Sequence, residues 1–538
     1  MSRTQRLTLV AAILGSTVVF LDSTVVNVAL PAIADGLDAG LSGQQWVVEA
    51  YLLALVSFML VGGMLGDMYG RRRMFVTGLV GFAITSSLCA IAPSDEFLIG
   101  ARALQGIAGA LLVPGSLALV AAAFEGPARG AAVGTWTAWT GIATVVGPAG
   151  GGILVDQLSW RWIFWVNLPV IVLTVWLTLR SVDESHDPDA VPGIDYPGIA
   201  LSALGLGGPV FALIEQPTYG WSDPIVWAPM IAGILLFAAF LRREATTAHP
   251  MLDLSLFRVR NFSVTNIVTF VVYGGLIGAL FFVPLFLQQT AGYSAVEAGL
   301  ATTPLSVLMF LLSPRFGRLA SGIGPRVPMC AGPIVAGVGV LLLTRIDPSA
   351  DYVSEVLPGI LVFGLGLAAT VAPLTATVLD SVSEHHAGVA SGVNNGVSRV
   401  AGLLAIAILG AVVSASFASR LDDELPLAEL SAPASRSVEE VKTRPLGAAR
   451  TDGLPSTEAS AVESSVADAS ASAFHLALGI GGVMMIAGGA IAGVFIRNPE
   501  RRRDRLAPLA TTAGDCGHEP ECAERVEDDR EAVGAAGA

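Results

Sequence analysis

Asp22, Glu49 and Arg102 are charged residues inside stretches otherwise too apolar for water. A charge in the middle of a membrane helix costs roughly 2.5–3.5 kcal/mol on insertion scales, so each requires a partner or a task. Asp22 lies about 15 residues, or roughly 22 Å, into the first apolar run. Glu49 lies near the outer end of the second and Arg102 at the start of the fourth, so all three fall at a similar depth. Two acids and an arginine at one level can exchange a proton, because burial favours the neutral acid whereas a nearby guanidinium favours the carboxylate. Two simpler readings stand beside this one. Glu49 would be an interfacial residue touching water, and Arg102 a structural donor to backbone carbonyls.

Further along, Ser391, Asn395 and Arg399 recur at every fourth position and stack on one helix face. That face is expected to look into a cavity rather than into lipid, with Asn394 and Ser398 beside it. Such a stripe either binds a solute or joins helices by hydrogen bonds. The stretch GTWTAWTGIATVVGPAGGG, Gly134 to Gly152, is dense in small residues and contains Pro148. Small residues permit close helix contact and the proline a bend. This stretch either packs tightly in the ordinary way or seals a cavity against ion leak.

Other chemistries find no support. Lys442 is the only lysine, so there is no GxxxxGK[ST] phosphate loop and ATP is not expected as the fuel. The glycines of GLGLAA at 364–369 lie in an apolar run and carry no dinucleotide signal, so no cofactor is expected. His385 and His386 sit together at a loop end, a solvated turn rather than a catalytic pair, and no enzymatic activity is expected. Cys89 and Cys330 lie in apolar runs, where thiols behave as small apolar groups. Cys516 and Cys522 flank His518 without the fourth ligand a zinc site needs, so no metal is expected. Nothing basic and aromatic is grouped as nucleic-acid binding requires.

The elements that carry these residues follow from composition. The 538 residues are 53% hydrophobic and 14% charged, too few charges to solvate a globular surface of that size. Apolar runs long enough to cross roughly 30 Å of hydrocarbon recur about fourteen times. They span 8–30, 46–66, 75–93, 98–122, 132–155, 161–180, 196–214, 226–241, 263–287, 299–316, 327–344, 356–378, 387–415 and 474–496. An all-α membrane protein is expected. GMLGDMYGRRR (Gly63 to Arg73), after the second run, returns in degraded form after the tenth as GRLASGIGPR (Gly317 to Arg326). Gly63, Leu65, Gly70 and Arg72 recur as Gly317, Leu319, Gly324 and Arg326. A charged glycine turn repeated at half-chain distance is what a duplicated helical membrane transporter leaves in its sequence.

The expected division is an N-terminal six-helix bundle at 1–180, a linker with two inserted helices at 181–260, a C-terminal six-helix bundle at 261–496 and a disordered tail at 497–538. Residues 417–473 are hydrophilic and poor in aromatics, and are expected to form a mobile external loop. Arg71 to Arg73, Arg242, Arg243, Arg315, Arg318, Arg326 and the cluster at 501–505 fall on one side, so the positive-inside rule puts both termini in the cytoplasm. Much of the acid behind the net charge of −14 sits in the outer loop and the tail, as solvated segments. The N-terminus is not read as a signal peptide, because Asp22 interrupts its apolar stretch and the stretch is too long.

On these residues the chain resembles the major facilitator superfamily. GMLGDMYGRRR resembles its motif A, with Asp67, Gly70, Arg71 and Arg72 in the key places; the resemblance implies a latch between the two halves on the cytoplasmic side. RALQGIAGA (Arg102 to Ala110) resembles motif B, whose arginine is linked to proton transfer. The 134–152 stretch resembles motif C, the antiporter signature, with Gly134, Gly147, Pro148, Gly151 and Gly152 in place and Ala143 where glycine is usual. LDSTVVNVALPAI (Leu21 to Ile33) and WRWIFWVNLP (Trp160 to Pro169) are similar to segments of the fourteen-helix drug:proton antiporters, the EmrB/QacA-like branch. PLFLQQTAGYSAVEAGL (Pro284 to Leu300) and HHAGVASGVNNGVSR (His385 to Arg399) extend the likeness into the second half. Glu49 departs from the pattern, standing where a small polar residue is expected.

The resemblance implies a major facilitator fold of about fourteen helices, two pseudo-symmetric six-helix bundles plus two inserted helices. It also implies multidrug efflux by proton antiport of small amphipathic or lipophilic compounds, drugs and antibiotics, across the cytoplasmic membrane. The tenth run departs from the pattern, carrying no buried acid of the kind some members use for divalent cationic drugs, which leaves monovalent cationic, neutral or zwitterionic lipophiles. Asp22, Arg102 and Glu49 are the expected proton-coupling residues and Ser391, Asn395 and Arg399 the expected cavity residues. Expected partners are the small-molecule substrate, protons and the lipid bilayer, with a monomer as the working unit. The rivals are a dedicated exporter of one endogenous metabolite or self-made antibiotic, and a non-transporting membrane receptor or scaffold acting through its tail.

Overall fold

The computed structural model describes residues 1–498 apart from 125, 187–194, 248–251, 253, 383–386, 426–429, 443, 448, 450 and 452. His385, His386, the cysteines near His518 and all but the first two residues of the expected tail lie outside the described residues, as do 187–194 of the expected linker. Among the described residues every regular element is helical. The elements are α1 (Arg3–Leu37), α2 (Leu41–Tyr69), α3 (Arg71–Ala90), α4 (Asp95–Ala123), α5 (Gly126–Gln157), α6 (Trp162–Trp165), α7 (Asn167–Ser181), α8 (Tyr196–Tyr219), α9 (Pro224–Thr246), α10 (Arg260–Gln289), α11 (Ala295–Ile323), α12 (Arg326–Leu342), α13 (Leu357–Asp380), α14 (Ala387–Glu424), α15 (Ala432–Lys442) and α16 (Ser456–Phe495).

Among the described residues twelve helices are long and apolar enough to cross a membrane, or thirteen when α2, bent by 47° between Met59 and Val61, is taken as one span. With the 32-residue α5, which lies outside that tally, the arrangement is consistent with the expected fourteen. Caps set several boundaries. Ser2 and Gln5 form a capping box at the start of α1, and Ser294 with Glu297 forms another at α11, each satisfying amides that the first turn leaves free. The repeated glycine turn is also structural. Gly70 between α2 and α3 has φ 107°, and Gly324 between α11 and α12 has φ 90°, a region closed to side chains bearing a Cβ.

Helices α1 to α7 pack mainly on one another, as do α10 to α14 with α16, while α8 and α9 pair together and α8 touches both α2 and α14. Alternating directions gather the ends of the helices at two levels. At the near level, beside the N-terminus, Gln5 reaches the Ala123 carbonyl, Arg260 the Phe495 carbonyl and Arg243 pairs with Asp195. At the far level α1 turns into α2, α5 into α6, and α10 into α11.

The segment 417–473 corrects the expectation of a mobile loop. α14 continues to Glu424, α15 follows, and α16 begins at Ser456, well before its apolar run. Leu421, Val438, Val441, Leu446, Val462 and Val466 are buried in the main core. A composition window averages such a segment to hydrophilic, whereas apolar residues three or four apart give each helix one buried face. The same region crosses to the other half: Arg444 pairs with Asp38 at the end of α1.

Candidate functional site

Asp22 on α1 and Arg102 on α4 are each 1% exposed and meet directly, guanidinium Nη1 to carboxylate Oδ2 at 2.5 Å. Two amides complete the acid's surroundings. Gln105 Nε2 donates to Asp22 Oδ1 at 3.1 Å and Asn167 Nδ2 donates to the same oxygen at 3.0 Å. Arg102 is held in turn by Gln105 Oε1 at 2.6 Å and the Val47 carbonyl at 3.0 Å, and lies over the Tyr51 ring at 4.2 Å from its centre. Asn167 also donates to Ser86, whose hydroxyl donates to the Phe164 carbonyl. Buried charges persist when paired and hydrogen-bonded; here both Asp22 oxygens accept bonds, and Arg102 donates through Nε and Nη1. The expected role of Arg102 as a carbonyl donor and its role as a carboxylate partner are present in one side chain.

Glu49 does not join them. It is 0% exposed, so it is not an interfacial residue touching water, and neither carboxylate oxygen has a hydrogen-bond partner among the described residues. The reason is helical geometry. Val47 and Tyr51, which serve Arg102, are four apart on one face of α2, and Glu49 between them is turned roughly 200° from each, at about 100° per residue. It shares a face with Gln45, whose Nε2 donates across the seam to the Ile406 carbonyl on α14 at 2.8 Å.

The motif A residues stay within the first half. Arg71 pairs with Asp67 at 2.8 Å, and Arg72 donates to the Leu179 carbonyl. Glu184, from the segment after α7, accepts the amides of Arg72 and Arg73 at 3.0 and 3.2 Å, where the exposed amides of a helix N-terminus favour an acid. Among the described residues none of Asp67, Arg71 and Arg72 bonds to α10–α16.

The motif C glycines serve different neighbours. A Cβ on Gly151 would sit 2.8 Å from Val25 of α1, and one on Gly147 would meet Thr24. A Cβ on Gly152 would lie 2.5 Å from the Ala295 carbonyl of α11, and Gly299 returns the contact against the Pro148 carbonyl. Gly134 has nothing within 4 Å. α5 is thus wedged between α1 and the opposite half. One turn beyond, Asp156 accepts the Ala295 and Val296 amides. The Gln45–Ile406, Gln288–Val28 and Arg444–Asp38 contacts also join the halves at the far level, which is closed.

On α14 the Ser391, Asn395, Arg399 stripe divides. Asn395 is exposed and donates to the Ser391 carbonyl of its own helix, and Arg399 is half-buried with no partner among the described residues. The helix-joining contacts belong to Asn394, which donates to Asn266 and Thr269 of α10. Gln105, Asn167 and Asp156 carry no charge signal inside an apolar run. What marks them in sequence is only their place within or beside the RALQG, WVNLP and GPAGGG segments.

The sequence matches the Major Facilitator Superfamily over residues 12–406. It is 37% identical over 426 residues to the multidrug resistance protein Stp of Mycobacterium tuberculosis, covering 79% of each chain. It is 31% identical over 512 residues to the tetracenomycin C resistance and export protein of Streptomyces glaucescens, covering 94% of this chain and 95% of that one. In fold it is similar to a bacterial homolog of the human lysosomal transporter Spinster, solved inward-facing and unoccupied, with TM-score 0.64 and 16% identity over 93% of this chain and 100% of that one. The match covers most of the sequence and the relatives align over more than two thirds of it, so the chain belongs to the Major Facilitator Superfamily.

Proposed function

We propose that this multi-pass membrane protein exports small amphipathic or lipophilic compounds, drugs and antibiotics among them, across the cytoplasmic membrane in exchange for protons. The near level would face the cytoplasm, with both termini there, and a monomer would be the working unit. In alternating access, the bundle at 1–180 rocks against that at 261–496 around a midplane cavity, with 181–260 as an insert. Proton entry supplies the drive: each charge crossing 100 mV is worth about 2.3 kcal/mol, enough for roughly a fifty-fold gradient.

The observation that carries the reading is the buried Asp22–Arg102 pair with Gln105 and Asn167 around it. Protonation of Asp22 removes the charge that the guanidinium and both amides hold, loosening α1 from α4 and α7. Thr24 and Val25 lie against the motif C glycines of α5, and α5 lies against α11, so a shift of α1 is passed by packing to the far seam. Asp67, Arg71 and Arg72 would engage the other half when the near level closes. Glu49 would be a second proton carrier, exposed only as the far seam opens.

Asp22→Asn is expected to abolish proton-coupled export while the protein folds and inserts. Drug-driven proton release at the wild-type rate from inverted vesicles bearing that variant overturns the assignment. A relative named for the export of one antibiotic favours a second reading, a dedicated exporter. Cells challenged with unrelated toxic compounds separate the two, by broad protection or protection against one scaffold.

A further inference from the structure

Arg399 stands about 18 Å along α14, near mid-span. Its guanidinium is half-buried and has no hydrogen-bond or ion-pair partner among the described residues. Leu403, one turn further along the same face, is buried with Val210 of α8 against Leu52 and Leu53 of α2, so this face looks towards the junction of the two halves rather than lipid. Other charges on its own half gather towards helix ends: Glu297 caps α11, Arg326 opens α12, and Asp422 pairs with Lys442 beyond the far end. Among the described residues Arg399 therefore has no counter-charge bonded to it. The acids of the first half do not supply one either, because Asp22 is taken by Arg102, Gln105 and Asn167, and Glu49 is fully enclosed.

We infer that the cargo carries an acidic group, a carboxylate or an ionised phenol, which pairs with Arg399. This rests on the export reading above and names its substrate class. A guanidinium presents two parallel N–H groups that match a carboxylate, and an isolated charge at this depth gains most from a partner that arrives with the opposite sign. Asn395, one turn earlier on the same face, spends its Nδ2 on its own helix and leaves Oδ1 to accept a hydroxyl or amide of the same cargo. A lipophilic cation would meet a like charge at Arg399. Exchange of one proton inward for one monoanion outward also moves two charges down the potential, where a neutral cargo moves one.

The test compares pyrenebutyrate with its methyl ester, probes of nearly equal shape that differ by one charge. Binding to the detergent-solubilised full chain is read by energy transfer from tryptophan, with no proton gradient, so a failure of proton coupling does not bear on the result. The wild type is expected to bind the acid about tenfold or more tightly than the ester. Arg399→Gln should bring that ratio to about one, and Arg399→Lys should restore part of it. Equal affinities in the wild type, or a ratio unchanged in Arg399→Gln, overturn the inference. The wild-type comparison decides even if the glutamine variant does not fold.

Discussion

Asp156 at the end of α5 accepts the amide of Val296 at 2.9 Å, one bundle capping the first turn of a helix in the other. Its second oxygen takes the Ala295 amide at 3.2 Å. A cap of this kind contributes about 1 kcal/mol, with more when the acid is ionised against the helix dipole. Opening the far seam must break it. Asp156→Ala is therefore expected to shift the population about five- to tenfold towards the far-open state. Spin labels at Leu158 and Arg345 report the separation of the halves, and an unchanged distance distribution counts against a gating role for Asp156.

Two motif C glycines, Gly152 and Gly134, carry opposite expectations. Gly152→Val places a branched side chain where even a Cβ lies 2.5 Å from the Ala295 carbonyl, so the far seam cannot close and export is lost. Gly134→Ala meets nothing within 4 Å and should leave export intact, with up to about 1 kcal/mol of added helix stability. Cellular efflux of one fluorescent substrate compares them. Equal damage from both would mean that the motif acts other than through this seam.

Much of this site is legible in sequence, for a physical reason. Asp22 and Arg102 stand out because a charge in an apolar run is costly, and the glycine turns at Gly70 and Gly324 because a positive φ leaves a residue signature. Gln105 and Asn167 do not stand out, since a neutral amide barely changes the mean hydropathy of a span. Asp156 reads as a solvated loop acid, because nothing local shows that α11 begins beside it. Glu49 is legible as an intruder, but its separation from Arg102 depends on which face of α2 it occupies. The same blindness of averages to periodicity hides α15 within 417–473.

Arg102 is held by a fork that lysine cannot reproduce, with Nε on the Val47 carbonyl and Nη1 shared between Asp22 and Gln105. Arg102→Lys keeps the charge and should still lose at least about tenfold in proton-coupled transport. Asn167→Ala removes one of the donors to Asp22 Oδ1 but leaves Gln105, so its loss should be the smaller of the two. Initial rates at saturating and limiting substrate should place both effects in kcat. A change confined to KM would assign these residues to cargo binding instead.

Among the described residues both carboxylate oxygens of Glu49 are buried without a partner, which costs about 1–3 kcal/mol. Glu49→Met should recover that much thermal stability and lower the number of protons moved per cargo. If stability rises while the proton count stays at the wild-type value, Glu49 carries no proton in the cycle.

Asp195 ties the inserted pair together at the near level. It caps α8 through the Gly198 amide and pairs with Arg243 of α9 at 2.8 Å, and that guanidinium holds its carboxyl below the ordinary aspartate range. A carboxyl whose folded pKa is depressed contributes stability that is complete above its unfolded value, near 3.9, and is lost as pH falls through the folded one. Arg243 is 37% exposed, so solvent screening keeps the contribution of this ion pair small. Asp195→Asn keeps most of the cap and should lower the Tm slightly, by the same amount throughout pH 5 to 8. The gap to wild type should close only below about pH 4. A gap that instead narrows between pH 6 and 8 would point to a different titrating partner for Arg243.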